Sequence, residues 1–198
     1  MASGGINAAG WTGRIDAGEA SDGQKLENAK LEQRGDSLKV TTGPAVAYWN
    51  PANTATGNYT VSATFTEPQY QNVNDHPHPY GLFIGGKNLE SETPNFVYCV
   101  AYGNGNYLIR GFADGKVFQV GRGPSDAVNK TGADGGVTQE IAWIVKGDRV
   151  ECQVNGKPVG SFAKSEITGP GKLESTDGIY GIRVSHNLDV MVTGLAKK

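Results

Sequence analysis

The densest group of chemistry-bearing side chains is Asp75-His76-Pro77-His78. Two imidazoles one residue apart can ligate a single metal ion from a loop, and His186 could supply a third donor. The spacing matches none of the usual zinc patterns. The alternative is a proline-stiffened loop with surface histidines, so the metal assignment stays open. Cys99 and Cys152 lack metal-type spacing and are too few for a disulfide framework. They read as two buried free thiols, with a disulfide between them as the alternative. Carboxylates occur without a catalytic arrangement. Glu140 and Glu151 share one face of a hairpin, but the register sets them about 14 Å apart. Glycosidase pairs span only about 5–9.5 Å. Glu90 and Glu92 lie in a Ser/Thr/Pro-rich loop. No Gly-x-Ser-x-Gly turn, phosphate loop or dinucleotide fingerprint is present, and no catalytic residue is assigned.

Non-covalent chemistry has better candidates. Sugar sites combine an aromatic face with planar hydrogen-bonding side chains. Tyr48-Trp49-Asn50-Pro51 offers both at a strand end. The competing reading puts Trp49 in the core and Asn50-Pro51 in a turn. Arg110, Gln119, Gln153 and Arg183 are candidates for an outer sheet face, either bonding a ligand or simply solvated. With His76 and His78 they complete the candidate ligand-binding set. The run Ile179–Ser185 alternates Tyr180, Ile182 and Val184 as core, which sends Arg183 outward and gives His186 core-facing parity.

These side chains need a scaffold, and composition narrows it. The 198 residues include 29 glycines, about twice the ordinary share. The glycines have no collagen period and form no single tract. The charge of −2 lacks the basic stripe of a nucleic-acid binder. No apolar run is long enough to span a membrane. The length fits a single domain over 1–198, with residues 1–10 as a flexible start that has no signal-peptide pattern.

Short alternating runs between Gly/Asn/Asp turns predict antiparallel strands. They fall near 37–42, 45–49, 58–66, 79–85, 96–103, 106–113, 116–121, 137–146, 149–155, 178–185 and 188–195. Residues 24–35 read as a short helix or an edge strand, and 67–79 and 121–136 as loops. Gly147-Asp148 closes a hairpin with Val145 opposite Val150, Trp143 opposite Cys152 and Ile141 opposite Val154, all facing the core. A turn at 103–106 places Tyr102 opposite Tyr107 and Tyr98 opposite Gly111. Asp114-Gly115 sets Gly111 opposite Phe118 and Arg110 opposite Gln119. With Tyr98 and Val100 inward, Cys99 points outward, away from Cys152. With the faces reversed, Tyr98, Tyr102 and Tyr107 form an exposed aromatic platform. Gly81 and Gly85 share a face with Phe83 and would leave open floor on the outer sheet.

The strand series resembles the concanavalin A-like lectin/glucanase superfamily, closest to its laminin-G-like and 3-keto-disaccharide-hydrolase-like bacterial secreted branch. The residues concerned are Tyr80–Gly86, Tyr98–Arg110, Val150–Gly156 with its Val-Asn-Gly end, and Asp177–Val184 with its Asp-Gly-x-x-Gly-x-Arg run. The resemblance extends from Trp11 to Leu195. It implies an all-β, two-sheet antiparallel jelly-roll β-sandwich with a curved polar sheet face. It also implies glycans as the usual ligands, and calcium as a frequent ion that the Asp-rich loops could hold. The Glu-x-Asp-x-x-Glu run of the superfamily's glucanases is absent.

The expectation is an extracytoplasmic, periplasmic or secreted domain that binds a carbohydrate or polysaccharide without covalent chemistry. Two other classes stay open. One is a glycoside or keto-sugar hydrolase with His78, Arg110 and Glu151 in a dispersed site. The other is a self-associating adhesive or structural module of an envelope or fibre.

Overall fold

Alternation becomes strand wherever one face can be buried. Tyr59, Val61, Ala63 and Phe65 point inward from Tyr59–Glu67, and the intervening Thr60, Ser62, Thr64 and Thr66 point out. The strand Asn95–Ala101 is instead buried along its whole length, a run with no polar face. Both of its sides are covered, one by the opposite sheet and the other by a separate cluster of Trp49, Phe83, Phe96, Tyr98 and Leu108.

The computed structural model describes residues 3–70, 72, 73 and 76–198. In chain order the strands are β1 (Gly5–Asn7), β2 (Thr12–Ile15), β3 (Lys30–Arg34), β4 (Ser37–Thr41), β5 (Val46–Ala55), β6 (Tyr59–Glu67), β7 (Asn72–Val73), β8 (His76–Pro77) and β9 (Tyr80–Lys87). They continue with β10 (Asn95–Ala101), β11 (Asn106–Ala113), β12 (Lys116–Pro124), β13 (Val137–Lys146), β14 (Arg149–Val154), β15 (Lys157–Ala163), β16 (Gly178–Val184) and β17 (Asp189–Lys197). The helices are α1 (Ala17–Ser21) and α2 (Lys164–Ile167). One sheet has eight strands in the order β1-β3-β4-β17-β6-β13-β14-β15, and the other has seven in the order β12-β11-β10-β9-β16-β5-β2. Strand pairing within them is antiparallel apart from β1 with β3. This is the two-sheet jelly-roll sandwich, and no described helix is long and apolar enough to cross a membrane.

The inner faces meet in one apolar core that holds Tyr48, Phe65, Tyr80, Leu82, Ile109 and Trp143. Trp143 Nε1 donates to the Leu82 carbonyl at 3.0 Å, so the indole of one sheet is bonded to the backbone of the other. The β13–β14 register is the expected one, with Val145 opposite Val150 and Trp143 opposite Cys152. Gly111 opposite Phe118 and Arg110 opposite Gln119 are also as expected.

The β10–β11 register differs by one residue. Tyr98 faces Arg110, Cys99 faces Ile109 and Ala101 faces Tyr107. The turn takes in Tyr102, whose N–H donates to the Asn106 carbonyl, while Asn104 Oδ1 accepts from the Asn106 N–H. A one-residue slip exchanges the faces of a strand. Here it turns Cys99 inward with Val97 and Ala101, and Tyr98 and Val100 outward. The expectation of free thiols is therefore corrected. Cys99 and Cys152 form a disulfide across the core, with Cα atoms 6.5 Å apart.

Other boundaries shift for local reasons. Residues 24–35 resolve into a short 3-10 turn, Leu26–Asn28, followed by β3. The segment expected as a flexible start contributes β1, paired to β3, and Ala8 is buried. The short edge strands β1, β2 and β15 have no clean alternation to announce them.

Candidate ligand-binding groove and histidine cluster

A groove of about 470 Å³ lies on the outer face of the seven-stranded sheet. Its floor is Tyr98 and Val100 of β10, Leu108 and Arg110 of β11, and Arg183 of β16. Its rim is Asp16, Ala45, Tyr102, Ser185 and His186, with His76, Pro77 and Pro79 from the other side. A second cavity of about 380 Å³ shares Pro77, Tyr102, Leu108 and Arg110 and extends the groove toward Asn104, Asn106 and Arg122. Placement of the floor follows from the register, because the outward positions of β10 and β11 meet there.

Two arginines on this floor have different roles. Arg183 is buried and gripped by both Asp16 carboxylate oxygens, at 2.7 and 2.5 Å. Its guanidinium lies 5.2 Å from the Tyr98 ring centroid and 5.8 Å from that of Phe112. Burial alone would lower its pKa, but the Asp16 charge and hydrogen bonds hold it above the ordinary value. Arg110 has no carboxylate partner among the described residues and lies within hydrogen-bonding reach of Tyr98. Its Nε is buried with no hydrogen-bond acceptor among the described residues. Burial raises the pKa values of Tyr98 and Tyr102 against the pull of the nearby arginines, so both phenols stay protonated and can donate or accept.

At one end of the groove stand three histidines. Ring centroids are 5.2 Å apart for His76 and His78, 5.5 Å for His76 and His186, and 4.3 Å for His78 and His186. The donor atoms offered by the three lie within 4.8 Å of one another. Burial, with His186 and His76 alongside, pushes His78 down to about 4, so its ring is neutral at pH 7. His186 does not continue the core-facing parity of β16. The Ser185 N–H is bonded to the Pro79 carbonyl, the strand ends, and His186 turns to the groove. Asp75, singled out beside His76, lies outside the described residues.

The fold thus assembles His76, Arg110 and Arg183 in one groove, with His78 behind its end. It does not bring in the other candidates. Tyr48 is fully buried between the sheets, on the inner face of β5. Trp49 is 2% exposed in the outer-face cluster and borders a separate cavity of about 360 Å³ with Pro51, Leu89 and Ile179, not this groove. Asn50 lies within β5, where its Oδ1 accepts the Ala52 N–H at 3.0 Å. Gln119 is exposed on the edge strand β12, and Gln153 lies on the other sheet, donating to Glu151 at 2.6 Å. Glu151 is thereby removed from His78 and Arg110, and the dispersed catalytic set is not assembled.

Gly81 and Gly85 do not open the floor. A Cβ on Gly81 would overlap the Cys99 carbonyl, and Gly85 adopts a left-handed φ of 66° against Leu173 and Ser175. The residues the sequence reading left out of the site are Asp16, Tyr98 and Tyr102. The two tyrosines were visible in the reversed-face alternative, and Asp16 only as part of an Asp-rich loop, with nothing local to pair it with Arg183.

Neither a protein-family model nor a curated protein sequence matches the chain. Solved structures do share its fold. Carbohydrate-binding module CBM66 from Bacillus subtilis aligns with a TM-score of 0.62 at 12% identity, over 98% of each chain. A Bacillus subtilis protein of unknown function with a galectin-like fold aligns at 0.64 and 15% identity, over 94% of this chain and 88% of that one. The endo-β-1,3-glucanase of Pyrococcus furiosus aligns at 0.57 and 10% identity, over 92% and 85%. The architecture is that of the concanavalin A-like and galectin-like sandwiches.

Proposed function

We propose that the chain is an extracytoplasmic carbohydrate-binding domain that holds its ligand non-covalently in the groove over β10, β11 and β16. The observation that carries this reading is Arg110. Its Nε is buried, lacks a partner among the described residues, and sits on a floor flanked by Tyr98 and Tyr102. An unpaired buried donor is costly unless a ligand oxygen completes it. A sugar ring fits such surroundings, since its C–H groups pack on an aromatic face while its hydroxyls bond planar donors. The guanidinium also favours sugars that carry a carboxylate, which it can bind through two parallel bonds. Sandwiches of this fold include a carbohydrate-binding module and a glucanase, which supports glycans as the ligand class. The disulfide supports an oxidising compartment.

The test is a glycan array followed by calorimetry of the full chain with neutral and uronate oligosaccharides, each with and without calcium, the ion implied by the resemblance. Binding of an oligosaccharide that is lost on Arg110→Ala is the expected result. Silence of the folded chain on both, or binding that Arg110→Ala leaves unchanged, overturns the assignment.

A further inference from the structure

The geometry points to a second site: we infer that His76, His78 and His186 form a three-imidazole binding site for a divalent transition-metal ion such as zinc, copper or nickel. The first support is convergence. The three donor atoms come from two separate parts of the chain, β8 with its following residue and the segment after β16, and lie within 4.8 Å of one another. Metal–imidazole bonds of about 2.0–2.1 Å in a tetrahedral site bring nitrogens to roughly 3.4 Å. Tilting of the rings by little more than an ångström closes that gap.

His78 supplies an independent observation. It is 1% exposed, and both of its ring nitrogens are buried without a hydrogen-bond partner among the described residues. Buried polar atoms are rarely left so. A metal ion held with His76 and His186 gives one of these nitrogens its partner.

His186 is set up from behind. Its Nδ1 lies 3.5 Å from Glu19 Oε1 and 3.4 Å from Ser185 Oγ, which leaves Nε2 as the donor toward the cluster. The Glu19 carboxylate is itself fixed by the Ala45 N–H at 3.1 Å. A carboxylate behind a ligating imidazole is the usual support for such a ligand, fixing its tautomer and orientation.

The donor set selects the ion. Three imidazoles, joined by no carboxylate among the described residues, suit zinc, copper or nickel and disfavour calcium and magnesium, which require oxygens. Three protein donors also leave a coordination position open, and because His76 and His186 line the groove, that position faces it. This assignment does not depend on the sugar reading, because the titration below contains no sugar.

The test uses the full chain after chelator treatment. Zinc chloride is titrated by calorimetry and cobalt chloride by visible absorption. One equivalent of each ion should bind, with cobalt d–d bands in the visible, and excess calcium chloride should not compete. His78→Ala risks misfolding because the residue is buried, so His76→Ala and His186→Ala carry the test, with circular dichroism to confirm folding. Each should weaken zinc by about 100-fold or more, since even outer supports are worth about 10–100-fold, and Glu19→Gln should weaken it about tenfold. No binding of zinc or cobalt to the folded chain overturns the site. So does zinc binding that both single variants retain, which would place the ion elsewhere.

Discussion

Cys99 of β10 and Cys152 of β14 form a disulfide through the centre of the sandwich, linking the two sheets across 53 positions of sequence. The bond lies among Ile109, Ile141 and Trp143 in the core. Closing a loop of this length restricts the unfolded chain by about 4 kcal/mol on the chain-entropy model. The double variant Cys99→Ala/Cys152→Ala should lose about 2–5 kcal/mol in urea unfolding. Reductant should lower the midpoint of the parent chain and leave that of the variant unmoved. Equal midpoints for the oxidised parent and the variant would show that the bond contributes nothing.

Asp16 and Arg183 are the next coupled pair, 167 residues apart in sequence. The guanidinium is 8% exposed, so removal of its carboxylate leaves a buried cation unpaired. Asp16→Ala should cost about 3–5 kcal/mol. Asp16→Asn keeps an acceptor and should cost less. The double variant Asp16→Ala/Arg183→Met should recover much of the loss, because the uncompensated charge is gone. A double-mutant cycle by chemical denaturation reads this directly, and additive losses would contradict it.

How much of this was legible depended on how local each signal was. The β13–β14 hairpin was readable in full because Gly147-Asp148 fixes the turn and six apolar side chains fix the face. Arg183 was placed outward by the same alternation, between Ile182 and Val184. Cys99 was misplaced because its face depended on whether Tyr102 belongs to β10 or to the turn, a choice made by Asn104 and Asn106. Tyr48 and Trp49 misled for a different reason: β5 is covered on both sides there, so an aromatic pair that resembles a binding platform is core on one face and a capped cluster on the other. The Asp16 contact had no local trace, since β2 carries it to the groove from the opposite end of the chain. The histidine cluster was legible as a possibility, with His76 and His78 two apart and His186 named as a third donor, but the turn of His186 out of the β16 alternation was not.

Gly81 of β9 pairs with Val100 of β10. A Cβ there would overlap the Cys99 carbonyl and meet Val100 Cα at 2.9 Å, both backbone atoms that cannot rotate away. Gly81→Ala should therefore displace β10, which carries Tyr98 and Val100 of the groove floor. The expected loss is about 1–3 kcal/mol, typical of overpacking, with weaker sugar binding alongside. Gly57→Ala is the comparison: its φ of 69° is unfavourable for alanine, but its Cβ meets nothing within 4 Å and it lies away from the groove. It should lower stability without touching binding. Thermal unfolding and calorimetry of the two variants separate these effects, and unchanged binding in Gly81→Ala would show that the floor does not follow β10.

Arg110 offers the sharpest separation of stability from recognition. Its Nε makes no hydrogen bond among the described residues, so truncation removes no native hydrogen bond at that atom. Arg110→Ala should lower stability in urea by about 1 kcal/mol or less, from lost packing of the stem and the lost contact with Tyr98. The same change removes a donor that a bound sugar oxygen would complete, and affinity should fall by tenfold or more, since bonds to charged groups are worth about 1.5–3 kcal/mol. Arg110→Lys keeps the charge but loses the planar fork, so it should restore little of the affinity for a carboxylated sugar. Arg183→Lys should behave differently, losing stability first, because that guanidinium is already committed to Asp16. Full binding by folded Arg110→Ala would overturn the assignment of this floor as the sugar site.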